Sequence, residues 1–175
     1  EQDEHQRIDP EKLANTIAAC HRDNLFIIAL IGIAGATETG TVDPLPQLAQ
    51  IAQNNDIHFH VDAAWGGAFM FSDEYKYKLA GIEHADTITF CAHKQLYLAQ
   101  GISLCLFKDS QGLYSVTTHA EYQAEAGSFD LGQFTLEGSR PATSLMLHAA
   151  LHLFSRSGYN WLMQQSMLKA AFLKA

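Results

Sequence analysis

Three places in the sequence set polar side chains directly after runs that read as β-strands. Thr37 and Thr39 follow the first run, Asp62 ends the second, and His93-Lys94 follow the third. Open α/β sheets bind their ligands at the carboxyl ends of the strands. Hydroxyls, a carboxylate, an imidazole and an amine brought to one such crevice are groups suited to holding a polar ligand. A second chemistry competes for part of the same set. His58, His60 and Asp62 alternate along one strand, and the period of two puts all three on one side of the sheet. Imidazole and carboxylate together suit zinc or a similar ion and would make a metal-dependent hydrolase. Position 63 is Ala, so the His-x-His-x-Asp-His pattern of such hydrolases is incomplete. A pair of hydrogen-bonded core histidines is the preferred reading, and no metal is assigned.

The elements that must position these groups can be read from pattern and punctuation. Asp9-Pro10-Glu11 is a helix start, with Asp as N-cap and Pro at the first helical position. The unbroken apolar run 25–31 predicts a strand buried on both faces, as in a parallel sheet. A Gly- and Thr-rich loop follows. A second Asp-Pro, Asp43-Pro44, then predicts another helix, closed by Asn54-Asn55-Asp56. Strands are expected over 57–61, with Asp62 at the end, over 87–91 and over 102–107. Strands alternating with helices mean βαβ units and an α/β, three-layer αβα fold with a mostly parallel sheet. The step from Lys94 to Ile102 is too short for a parallel crossover, which takes a dozen or more residues. The fourth strand is therefore expected to be antiparallel. Residues 109–138 are polar and weakly patterned. A helix is expected from Pro141 to a stop at Gly158, and another over 161–173.

Composition narrows the partners. The 175 residues have a formal net charge of −8, from 11 Lys and Arg against 19 Asp and Glu, and no basic run. A phosphate backbone is gripped by clustered Lys and Arg, so a nucleic-acid partner is not expected. The longest apolar run, 25–36, falls short of the ~20 residues of a membrane helix, so no membrane partner is expected either. The three cysteines form no CxxC pair and read as reduced, buried thiols of a cytoplasmic protein. Charged residues make up only 17% of the chain, against about 25% in a typical soluble domain. That shortage suggests more buried surface than a lone domain of this length would have.

The stretch His60-Val61-Asp62-Ala63-Ala64-Trp65-Gly66-Gly67, followed by His93-Lys94, resembles the group II pyridoxal-phosphate-dependent amino acid decarboxylases of fold type I. Gly35-Ala36-Thr37 and Asp43-Pro44 are similar to that family's loop before the Asp strand. Residues 79–86 resemble its segment between the two motifs, and Glu137-Gly138-Ser139-Arg140 its late Gly-Arg motif. Cys91, Gln95-Leu96-Tyr97 and Pro141 look like the bacterial branch acting on acidic amino acids, glutamate or aspartate.

The resemblance implies pyridoxal 5'-phosphate as cofactor and decarboxylation of an amino acid to its amine and CO2. Asp62 would keep the pyridine nitrogen protonated, because a neighbouring carboxylate favours the charged form. Lys94 would supply the amine that anchors the cofactor and afterwards a proton. Ala64 would pack on the ring, Thr37 and His93 would hydrogen-bond its substituents, and His60 would support it. Arg140 would take the substrate carboxylate. Tyr114 and Tyr122 are the candidates for a tyrosine that assists protonation. The resemblance also implies a cytoplasmic homodimer, of which residues 1–175 are a partial large domain that does not turn over alone. Another fold-type I enzyme, such as an aminotransferase, would share the Asp and the Lys.

Overall fold

The computed structural model describes residues 2–115, 117, 131–134 and 141–174. Helix α1, Pro10–Arg22, starts as its sequence predicts: the Asp9 carboxylate accepts from the amides of Glu11 at 3.0 Å and Lys12 at 3.2 Å, and Pro10 opens the helix. The sheet has four strands in the order β1-β2-β3-β4, namely Ala29–Ile33, His58–Asp62, Thr87–Cys91 and Ser103–Phe107. β1, β2 and β3 are mutually parallel, and β4 returns antiparallel to β3. This is the mixed sheet expected from the short connection after Lys94.

Helix α2, Leu45–Asn54, makes the right-length crossover between β1 and β2. Its Leu45, Leu48 and Ala52 are buried against Leu30, Phe59 and Val61 of the sheet. Between β2 and β3 the crossover is built of 3-10 turns, Gly66–Phe71, Lys76–Leu79 and Ile82–His84. A one-turn helix α3, Gln111–Tyr114, follows β4, and α4, Ser144–Lys174, is the last element. Tyr159 and Met163 of α4 close a second core with Ala68, Phe90, Ala92, Leu96 and Ile102. Helices α1, α2 and α4 pack into the cores on the sheet face that carries Leu30, Phe59, Val61 and Phe90, while Gly112 of α3 lies against Phe107, which pairs with Thr87 on the other face. The described residues thus supply a mixed sheet with a helical layer on one face.

Three local expectations are corrected. The first strand lies at Ala29–Ile33, not at 25–31, and Phe26 and Ile28 are 90% and 80% exposed in the connection leading to it. Nor is it buried on both faces: Leu30 points to the core, while Ile31 and Ile33 are exposed on the opposite side. Gly158 does not stop the final helix. The break is at Ser155, with φ 53° and ψ −177°, and helical structure continues through Gly158. Of the three free thiols, Cys91 is buried, Cys20 half-buried and Cys105 exposed on β4, so burial holds only for the first. No helix among the described residues is long and apolar enough to cross a membrane.

Candidate active site

The carboxyl ends of the three parallel strands are joined by close backbone contacts. The loop after β1 folds back on itself, with an antiparallel bridge between Ala34 and Val42, and Thr37 sits at its exposed tip. Beneath that tip the Gly66 amide, in the loop after β2, donates to the Ala34 carbonyl at 3.0 Å. A Cβ on Gly66 would fall on that same carbonyl oxygen, and one on Gly67 would fall on the Phe90 ring of β3. The two glycines therefore let the loop after β2 lie against the strand ends on both sides.

Asp62 is the last residue of β2, paired in register with Ile33 on β1 and Thr89 on β3. One of its carboxylate oxygens, Oδ1, accepts from the amide of Ala64 at 3.0 Å, an Asx turn that holds the side chain at the strand end. Among the described residues Oδ2 takes no donor. His60, two residues back on the same face, is held at both nitrogens. Nδ1 lies 2.8 Å from the Thr87 hydroxyl, and Nε2 lies 3.1 Å from that of Thr89. Burial lowers its pKa; Asp62 pulls it up and His58 pushes it down, but burial dominates and favours the neutral ring. His58 Nε2 also meets the Thr87 hydroxyl, at 2.8 Å. Both histidines of the His-x-His pair are thus turned onto threonine hydroxyls, but His58 is exposed and His60 half-buried, so they are not the core histidines expected.

His93 and Lys94 follow β3 directly. His93 Nδ1 lies 3.0 Å from the Ile102 carbonyl, which only accepts, so Nδ1 carries a proton and Nε2 is left for another partner. Lys94 is half-buried, and its ammonium makes no ion pair among the described residues. The turn is held by the Tyr97 amide on the Lys94 carbonyl at 3.2 Å, with Tyr97 at φ 59°.

The structure thus gathers His60, Asp62 and Ala64 at one strand end and His93 and Lys94 at the next. Thr37 stands apart at its loop tip, its hydroxyl without a hydrogen bond among the described residues. Arg140 and Tyr122 lie outside the described residues. Tyr114 is exposed and packs edge-on against Phe134 with ring centroids 5.5 Å apart. Thr87 and Thr89 escaped the sequence reading. Their signal was the same alternation that picked out the histidines, seen on the neighbouring strand. A carboxylate oxygen and a primary amine at neighbouring strand ends, both without a partner among the described residues, suit a ligand with a protonated ring nitrogen and a carbonyl carbon open to an amine.

Comparison with known proteins agrees with this chemistry. The pyridoxal-dependent decarboxylase conserved domain matches residues 1–175. The chain is similar to aspartate 1-decarboxylase of Aliivibrio fischeri, at 45% identity over 97% of this chain and 31% of that protein. It is 32% identical to the acidic amino acid decarboxylase GADL1 of Xenopus tropicalis, over 80% of this chain and 29% of the relative. Among solved structures, mouse CSAD matches 98% of this chain and 37% of its own with a TM-score of 0.91 at 26% identity. Oryza sativa TDC, solved with PLP and tryptamine, shares the fold with a TM-score of 0.82, over 89% of this chain and 33% of its own, at 23% identity. The chain spans about a third of the length of these relatives, and it belongs to the pyridoxal-dependent decarboxylase family.

Proposed function

We propose that residues 1–175 are the central part of the large domain of a pyridoxal-phosphate-dependent decarboxylase that acts on aspartate or glutamate. The observation that carries this reading is the presence at neighbouring strand ends of two groups unsatisfied among the described residues: the Asp62 Oδ2 without a donor and the Lys94 amine without a carboxylate. A protonated pyridine nitrogen and an aldehyde carbon are complementary to these two groups. The likeness to an aspartate 1-decarboxylase over nearly the whole chain supports an acidic substrate.

When bound, pyridoxal phosphate supplies the electron sink for the electrons left behind as CO2 departs. The chain's own residues do the rest. Asp62 holds the proton on the pyridine nitrogen through its free oxygen, and the Asx turn at Ala64 fixes that carboxylate. Ala64 offers a small side chain to the ring face. Lys94 would hold the cofactor through its aldehyde carbon, and its Nζ would also be placed to hold a proton for the substrate Cα. His93 presents Nε2, and Thr37 its hydroxyl, to the cofactor's polar substituents. Arg140 grips the substrate carboxylate with its planar fork.

The exposed Ile31 and Ile33, on the same sheet face as His60 and Asp62, fit a core that further parts of a longer enzyme cover. We place that enzyme in the cytoplasm as a homodimer, and expect the 175-residue piece alone not to turn over. CO2 release from a panel of amino acids by the intact enzyme tests the reading. Release from aspartate or glutamate well above that from aromatic amino acids supports it; transamination without CO2 release contradicts it.

A further inference from the structure

A row of hydrogen-bonded side chains crosses from the amino end of the sheet to Asp62. Its hydrogen bonds link His58, Thr87, His60 and Thr89, alternating between β2 and β3 on one face, and Asp86, just before β3, lies beside its start without a hydrogen bond to His58. The Asp86 carboxylate, which also accepts from the Phe59 amide at 2.8 Å, lies 4.0 Å from His58 Nδ1. His58 Nε2 and His60 Nδ1 both meet the one hydroxyl of Thr87 at 2.8 Å, and His60 Nε2 meets that of Thr89 at 3.1 Å. On the β1 side the register neighbour of His60 is Ile31, which carries no polar group. Among the described residues, the groups that face His60 are therefore Thr87 and Thr89 on β3 and His58 and Asp62 on its own strand.

Proton counting gives the row a direction. A threonine hydroxyl has one hydrogen, so with neutral rings Thr87 donates to one histidine and accepts from the other. At 4.0 Å the Asp86 carboxylate makes no hydrogen bond to His58, but its negative charge favours the His58 proton on the nitrogen that faces it, Nδ1, which leaves Nε2 as a lone pair. Thr87 then donates to His58 and accepts from His60, so His60 carries its proton on Nδ1. Its Nε2 is a lone pair, and Thr89 donates there.

We infer that Thr87 is a positioning residue: through this row it fixes His60 as the neutral Nδ1–H tautomer beside Asp62. The proton of the Thr89 hydroxyl is thereby engaged by His60. Neither neighbour then donates to Asp62, and its carboxylate stays unshared. The inference rests on Asp62 serving the cofactor's ring nitrogen.

The test is solid-state 15N NMR of the intact enzyme labelled at histidine, with the His60 signal identified by its loss in His60→Gln. In the parent protein at neutral pH the signal belongs to an Nδ1–H tautomer. Thr87→Val, which deletes the bridging hydroxyl and keeps the shape, abolishes that signal and lowers kcat about three- to tenfold with KM unchanged. Thr87→Ser retains both. An Nε2–H or doubly protonated His60 in the parent, or an unchanged signal in Thr87→Val, overturns the inference. Borohydride labelling of Lys94 on the same preparations reports separately on the cofactor reading: an unlabelled Lys94 sinks that reading, while the tautomer still decides the row.

Discussion

The Gly66 amide donates to the Ala34 carbonyl at 3.0 Å, with no room for a side chain between the two backbones. The contact sets the loop after β2, and with it the Asp62 turn, against the end of β1. Gly66→Ala drives a methyl group onto a carbonyl oxygen, and relief requires the loop to move away from β1. The expected loss in urea unfolding is at least about 2 kcal/mol, with weaker cofactor retention. An unchanged midpoint and full cofactor content would show that the loop accommodates the methyl freely.

Asp43 is nine-tenths buried, and its two oxygens hold two distant amides, Ile8 at 2.8 Å and Ile33 at 2.7 Å. It ties the segment before α1 to the last residue of β1. Asp43→Ala leaves two amides without acceptors and is expected to cost about 2–4 kcal/mol. Amide hydrogen exchange locates the effect: protection should fall at Ile8 and Ile33 first. Loss of protection elsewhere alone would contradict this assignment.

Tyr159 is fully buried against Phe71 and Phe154, and its hydroxyl has no hydrogen-bond partner among the described residues. Burial raises its pKa. Tyr159→Phe removes a polar group that water would otherwise solvate, and keeps the ring contacts. The expected thermal unfolding temperature equals or exceeds that of the parent. A clear drop would mean that the hydroxyl has a partner in the intact enzyme.

His60 has a pKa below its ordinary value of 6.5 because burial outweighs the pull of Asp62. The unfolded chain takes up this proton near that ordinary value, the folded chain only at lower pH. Between the two values the unfolded state holds the extra proton, so stability falls as pH drops through that window. Above it the group contributes no pH dependence. His60→Gln removes this part of the slope: its unfolding temperature should fall less than the parent's from about pH 7 to about pH 5. Parallel curves for the two proteins would contradict the lowered pKa.

The paired Asp-Pro dipeptides show how far local sequence carries. Asp9-Pro10 reads as a helix start and is one, because N-capping is settled by amides two and three residues away. Asp43-Pro44 has the same letters, and a helix does follow, but it starts at Leu45 with no side-chain cap. The Asp43 carboxylate has been taken by Ile8 and Ile33, partners that no local pattern reveals. The strand ends bearing Asp62 and Lys94 were legible for a different reason: period, punctuation and the short step to Ile102 leave few topologies open. The first strand was misplaced because residues 25–28 are as apolar as Ala29–Ile33, and pattern alone does not say which part pairs with β2. The break at Ser155 was hidden behind a more conspicuous glycine at 158. Thr87 and Thr89 became visible only with the register that sets them opposite His60 and Asp62.

On the proposed reading, Lys94 carries pyridoxal phosphate, with Asp62 at its ring nitrogen. The direct measurement is borohydride reduction of the intact enzyme with pyridoxal phosphate, followed by peptide mass spectrometry. The expected result is one reduced pyridoxyl group per chain, on Lys94, and loss of the protonated-ring absorption in Asp62→Asn while Lys94 is still labelled. Label on another lysine, or no label on a folded enzyme that decarboxylates its substrate, would contradict it.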